Sequence, residues 1–124
     1  MGVNLFHMNR EVNQEVERLV EKFIDASIKY GESIELGESK MANKQSSIIR
    51  KVRKQLVESC KLDLLIPSLK HNNDYVKLNA ASSLIGILPD DARDVLGELQ
   101  GRKGLVGFEA KMFLQEWYRG NIKI

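Results

Sequence analysis

Two histidines, one cysteine and scattered carboxylates are the side chains from which a reaction centre in this chain would have to be assembled. His7 lies near the N-terminus and His71 in His71-Asn72-Asn73-Asp74, a run of turn formers, and neither has a second imidazole or a thiolate at metal-binding spacing. His71 is expected to be a loop residue that hydrogen-bonds backbone. Cys60 follows a long helical pattern beside Leu62 with no base near it, so a small buried thiol is expected rather than a nucleophile. Glu11 with Glu15, and Glu17 with Glu21, place paired carboxylates on one helix face. Such pairs can hold a metal, but a bare acidic face without histidine is usually solvated. There is no glycine-rich phosphate loop, His-Glu-x-x-His, Cys-x-x-Cys or nucleophile elbow. The expectation is a protein without catalytic residues, metal or cofactor.

Charge segregation is the stronger signal. Glu11 to Glu38 carries eight acids against Arg18, Lys22 and Lys29, whereas Ser39 to Glu58 carries six bases against one acid, so a formal net charge of +2 hides a dipolar chain. Lys44, Arg50, Lys51, Arg53 and Lys54 are therefore candidates for a protein-binding surface. Two readings stand side by side: a positive wall on the concave side of stacked helices, or a solvated face paired with its acidic neighbour.

The elements that would position these residues are all helical. Val12, Val16, Leu19, Val20, Phe23, Tyr30 and Ile34 share one arc with Ser27 and Gly31, which gives a long amphipathic helix, kinked at Gly31 if anywhere and stopped at Gly37. Residues 1–10 are expected as a flexible tail. A second helix runs from Ser39, its expected N-cap, to about Ser59, with Met41, Gln45, Ile48, Ile49, Val52 and Leu56 inward. A short helix follows over Leu62 to Lys70, then a helix capped by Asp74 and reaching Leu88, a break at Pro89-Asp90-Asp91, a helix to Gln100, and a last one from Val106 to Tyr118. Around the helix from Asp74, only Asn79, Ser82, Ser83 and Gly86 form a polar strip, as on a central helix packed on both sides. In the last helix Val106, Ala110, Phe113, Leu114 and Trp117 form the core stripe. Phe108 and Met112 occupy a second side, either as core against the preceding helix or as an exposed apolar patch.

At 124 residues and 43% hydrophobic content, the chain is one domain with an ordinary core. Its apolar runs, such as Leu84 to Leu88, are far shorter than the roughly 20 residues of a membrane span. Met1 to Arg10 has no signal-peptide pattern and Cys60 has no disulfide partner, which makes the cytoplasm the expected compartment.

A shift of thirty residues superimposes Leu65 on Val95, Ile66 on Leu96, Leu69 on Leu99, Val76 on Val106, Leu78 on Phe108, Ala80 on Ala110 and Leu84 on Leu114. Apolar falls on apolar throughout, so the expected fold is an all-α superhelix of about three antiparallel helical pairs sharing one core. Asp74-Tyr75-Val76-Lys77-Leu78-Asn79-Ala80-Ala81 followed by Leu84-Ile85-Gly86 resembles the second-helix pattern of HEAT repeats. Over nearly the whole chain a further resemblance is carried by Ala42-Asn43-Lys44 after Glu35-Leu36-Gly37, by Leu64 to His71, and by Gly107-Phe108-Glu109-Ala110-Lys111-Met112 with Leu114-Gln115-Glu116-Trp117. These segments are similar to the bacterial domain-of-unknown-function family DUF two-thousand-nineteen. That resemblance implies a HEAT-like fold and supplies no site residues.

The expected function is that of a bacterial, non-enzymatic protein-interaction module, with an immunity or antitoxin-type protein that covers a toxin as its specific form. The candidate contacts are the five bases together with Asn79, Ser82, Phe108 and Met112. The alternative is nucleic-acid binding through the basic second helix, which the acids Asp90, Asp91, Asp94 and Glu98 and the near-neutral total oppose. An enzyme acting on bases, with Trp117 and Tyr118 as stacking platforms, would need one acid singled out by position, and none is.

Overall fold

The computed structural model describes the backbone of residues 2–122 and the side chains of residues 14–122. The order is α1 (Gly2–Glu35), α2 (Ser39–Glu58), a 3-10 helix (Leu62–Lys70), α3 (Asp74–Leu84), α4 (Pro89–Gln100) and α5 (Leu105–Tyr118), with no strand among the described residues. Consecutive elements pack as three pairs, and α3 packs on α4 to join the second pair to the third. The all-α superhelix of three helical pairs is therefore the architecture.

α1 is helical from Gly2, through the stretch expected as a tail over residues 1–10. The side chains there, with His7, Glu11 and Val12, lie outside the described residues. Val16, Phe23, Ala26 and Ser27 are buried, and Leu19, Tyr30 and Ile34 pack partly buried on the same core. The helix continues through Gly31, which serves close approach: a Cβ there would lie 2.3 Å from Tyr75 Cδ2. Gly37 adopts φ +71° and the Glu38 amide donates to the Ser33 carbonyl at 2.8 Å, a left-handed stop of the expected kind.

This tight stop starts α2 at once, and Glu38 rather than Ser39 occupies the N-cap, without a side-chain capping bond. Ala42, Gln45, Ile49, Val52 and Leu56 form the buried face, while Met41, expected inward, is exposed. Cys60 is also exposed, contrary to the expected buried thiol. It sits in the left-handed region at φ 57°, and the Lys61 amide donates to the Leu56 carbonyl at 2.8 Å, so Cys60 holds the helix-stopping position that glycine usually takes. Cys60→Gly should accordingly stabilise the chain by about 0.5–1 kcal/mol. A urea midpoint unchanged or lowered would refute that reading.

The short helix winds with three residues per turn, burying Leu62, Leu65, Ser68 and Leu69 and including Pro67. Asn73, not Asp74, caps α3: its Oδ1 accepts from the amides of Tyr75 at 2.9 Å and Val76 at 3.2 Å. His71 plays its expected part, its Nδ1 accepting from the Asn73 amide at 3.0 Å. α3 ends at Leu84, short of Leu88, and Pro89 opens α4 instead of merely breaking the chain, because its missing N–H is unneeded in a first turn.

The repeat holds where the windings agree. Ala80 and Ala110 are both fully buried, and Leu69/Leu99, Val76/Val106 and Leu84/Leu114 are matched buried pairs. Ile66 is exposed where Leu96 is buried, since a 3-10 turn and an α-turn drift apart in phase. Leu78 is buried under α1 whereas Phe108 is exposed on α5, which no further helical pair covers. Ala80→Leu is expected to cost about 1–3 kcal/mol by overpacking this contact. A thermal midpoint within error of wild type would contradict the alignment.

Candidate functional site

The concave side is not the expected wall of three second helices. α1 packs against α3 and α5 as well as α2, so α1 forms the floor and α2 stands along one edge. Two cavities lie in this trough. One of about 280 Å³ has Ser46, Ile49, Arg50 and Arg53 of α2 on one side, Leu78, Asn79 and Ser82 of α3 on the other, and Tyr30, Glu109 and Phe113 completing it. The other, about 340 Å³, lies between Ser39 and Ala42 of α2 and Leu105 and Phe108 of α5, over Ser33 and Ile34 of α1.

Glu109 lines both cavities, and the bordering residues advance in steps of three or four along α2 and α5. The two cavities thus adjoin at Glu109 and form one trough with α2 along one side and α5, then α3, along the other. Its ends differ in chemistry: Ile34, Ala42, Leu105 and Phe108 make one end apolar, and Arg50 and Arg53 make the other cationic.

Ion pairing distributes unevenly over the charged helices. Among the described residues, none of Lys40, Lys44, Arg50, Lys51, Arg53 and Lys54 makes an ion pair, although acidic α1 lies alongside. The acids of α4 differ: Glu98 meets Lys77 at 3.5 Å and Arg102 at 3.1 Å, and Asp90 pairs with Arg93. Direct ion pairing between the first and second helices, which one of the two readings invoked, is absent among the described side chains.

Two tyrosine–carboxylate bonds hold the floor. Tyr30 Oη donates to Glu109 Oε1 at 2.6 Å and ties α1 to α5, while Tyr75 Oη donates to Glu35 Oε1 at 2.9 Å and ties α3 to α1. The rings meet edge to face at 5.9 Å. Burial first, then the bond to Glu109 and its charge, raise the Tyr30 phenol above its ordinary range; burial and Glu35 do the same to Tyr75. Burial also raises the Glu109 carboxyl, helped by the charge of Glu35, while the bond from Tyr30 pulls the other way.

A carboxyl raised on folding contributes stability that is complete below its unfolded pKa and is lost as pH rises through the folded one. Glu109→Gln is thus expected to raise the thermal midpoint at pH 7 relative to wild type and to lose that advantage near pH 4. An equal effect at both pH values would show that charge burial is not the cause. Among the described residues no group of three or more His, Cys, Asp or Glu is placed to hold a metal ion, and no helix is long and apolar enough to cross a membrane.

Of the residues singled out by sequence, Arg50, Arg53, Asn79 and Ser82 line the polar end and Phe108 the apolar end. Lys44, Lys51 and Lys54 are exposed outside both cavities, as is Met112, so Phe108 and Met112 resolve as surface rather than core. Asn79 and Ser82 are partly committed to the fold: Asn79 Nδ2 donates to Ser27 Oγ at 3.1 Å and Ser82 Oγ to the Leu78 carbonyl at 2.7 Å. Tyr30, Ser46, Leu78, Glu109 and Phe113 were not among the sequence candidates. For Glu109 a signal exists, since it stands thirty residues after Asn79 at the equivalent repeat position, and both bond to α1.

No family model and no curated protein matches the chain. Among solved structures, it is similar to the crystal structure of the protein RPA1889 from Rhodopseudomonas palustris CGA009. The match has a TM-score of 0.80 at 19% identity and covers 88% of this chain and 93% of that one. Likeness at this identity is a likeness of fold.

Proposed function

We propose that the chain is a bacterial, cytoplasmic, non-enzymatic protein-interaction module whose recognition surface is the groove that α2 forms with α5 and α3. The observation that carries this reading is the set of six α2 bases without an ion-pair partner among the described residues, two of them, Arg50 and Arg53, at a groove that also holds Ile49, Leu78 and Phe113. Unpaired surface cations beside apolar area favour a partner with complementary charge, through both contact and steering. The resemblance to HEAT repeats and to DUF two-thousand-nineteen supports a scaffold of this type, and an immunity or antitoxin-type role is its specific form.

Nucleic acid is the competing partner, and the near-neutral total charge together with the acids Asp90, Asp91, Asp94 and Glu98 on α4 weighs against an extended phosphate-binding surface. Capture from a host lysate on the immobilised chain, with DNase and RNase treatment, separates the two. The expected result is a protein retained after nuclease and lost with Arg50→Glu/Arg53→Glu. Retention abolished by nuclease, or undiminished by the double reversal, would overturn the proposal.

A further inference from the structure

We infer that the groove takes an amphipathic helix with an apolar anchor at one end and carboxylates at the other, lying in one fixed direction. The inference rests on the reading of the chain as an interaction module and adds the chemistry and polarity of what it binds.

The stretch of α2 that borders both cavities, Ser39 to Arg53, is about 21 Å long at the α-helical rise, enough for roughly four turns of a partner helix. The groove runs between α2 on one side and α5 and α3 on the other, and the α2 residues that line it recur at three- and four-residue steps, the spacing of the ridges a further helix presents. Its apolar end has Phe108 and Leu105 exposed on α5 opposite Ala42, over Ile34. An exposed phenylalanine beside a cavity of about 340 Å³ offers area for one or two aliphatic or aromatic anchors.

Charge then sets direction. Glu38 borders the apolar end alone, exposed, and a carboxylate placed there would meet like charge, whereas Glu109 lies between the two ends and favours neither. Arg50 and Arg53 stand at the opposite end, exposed and without ion-pair partners among the described residues, where a carboxylate would find two guanidinium groups able to bond it in bidentate fashion. Arg50 and Arg53 lie about 12–17 Å along α2 from Ala42, so a helical partner places its acids about eight to eleven residues from its anchor.

A phage-displayed library of random twenty-residue peptides, selected on the intact chain, tests this. The expected enrichment pairs an apolar cluster with two or more Asp or Glu at that separation. The best synthetic peptide should lose about tenfold or more in affinity when its carboxylates become amides, and as much with Arg50→Glu/Arg53→Glu. Phe108→Ala should weaken it by about tenfold. All these positions are exposed, so unchanged thermal midpoints will show the variants folded. Enriched peptides that lack acids, or that bind the double reversal as well as wild type, would overturn the inference and leave the module reading standing. No enrichment, together with nuclease-sensitive capture from the lysate, would overturn both.

Discussion

Phe23→Ala is expected to destabilise the chain by about 3–5 kcal/mol, the range for deleting a buried aromatic ring. The ring is fully buried in the cluster that joins α1 to the rest of the protein, with Leu56, Leu65 and Leu84 also fully buried there. A loss of that size is a large part of the ~5–15 kcal/mol that holds a small domain folded. Because α1 is the floor of the groove, its loosening removes the support of both cavities. Urea unfolding should show a lower midpoint at an unchanged slope. A shift worth less than about 1 kcal/mol would mean that α1 is not docked through this residue.

Gly107→Ala should cost about 2–3 kcal/mol even though alanine is the better helix former by about 1 kcal/mol. A Cβ at position 107 would lie 2.2 Å from the Arg102 carbonyl oxygen and 3.1 Å from that of Leu99. Both contacts are backbone, so no side-chain rotation relieves them, and the start of α5 must move away from the end of α4. That first turn carries Leu105 and Phe108, which form the apolar end of the groove. Peptide affinity should therefore fall along with the thermal midpoint. A variant as stable as wild type would show that the α4–α5 approach is looser than described.

Much of this fold is legible from residue spacing. The arcs of α1 and α2, the stop at Gly37 and the pairing of Ala80 with Ala110 depend on periodicity and on one conformationally special glycine, which are local properties. What was misread depends on non-local geometry or on close competitors for one role. Asn73 and Asp74 are both good caps, and only the path of the preceding turn decides between them. Cys60 reads as a buried small residue until the left-handed backbone at the end of α2 places it outside. The groove was half visible: Arg50, Arg53, Asn79, Ser82 and Phe108 could be named from charge and pattern. That α1, and not α2, packs on α3 and α5 follows from how the first pair docks on the others, and nothing in the spacing of α1 specifies it. For the same reason Lys44, Lys51 and Lys54 looked equivalent to Arg50 and Arg53 in sequence and are not equivalent in space.

That last difference gives the sharpest test of the account. Association and dissociation rates for the acidic peptide should be measured at low and high salt with wild type, with Lys44→Glu/Lys51→Glu/Lys54→Glu, and with Arg50→Glu/Arg53→Glu. Charges outside the groove act by steering over a screening length of about 8–10 Å, so the lysine reversal should slow association, weaken its salt dependence and leave dissociation nearly unchanged. The arginine reversal should in addition speed dissociation by about tenfold or more, because it removes contacts made in the complex. If both reversals change only association, and to a similar degree, α2 is a diffuse basic face and the groove is not where the partner binds.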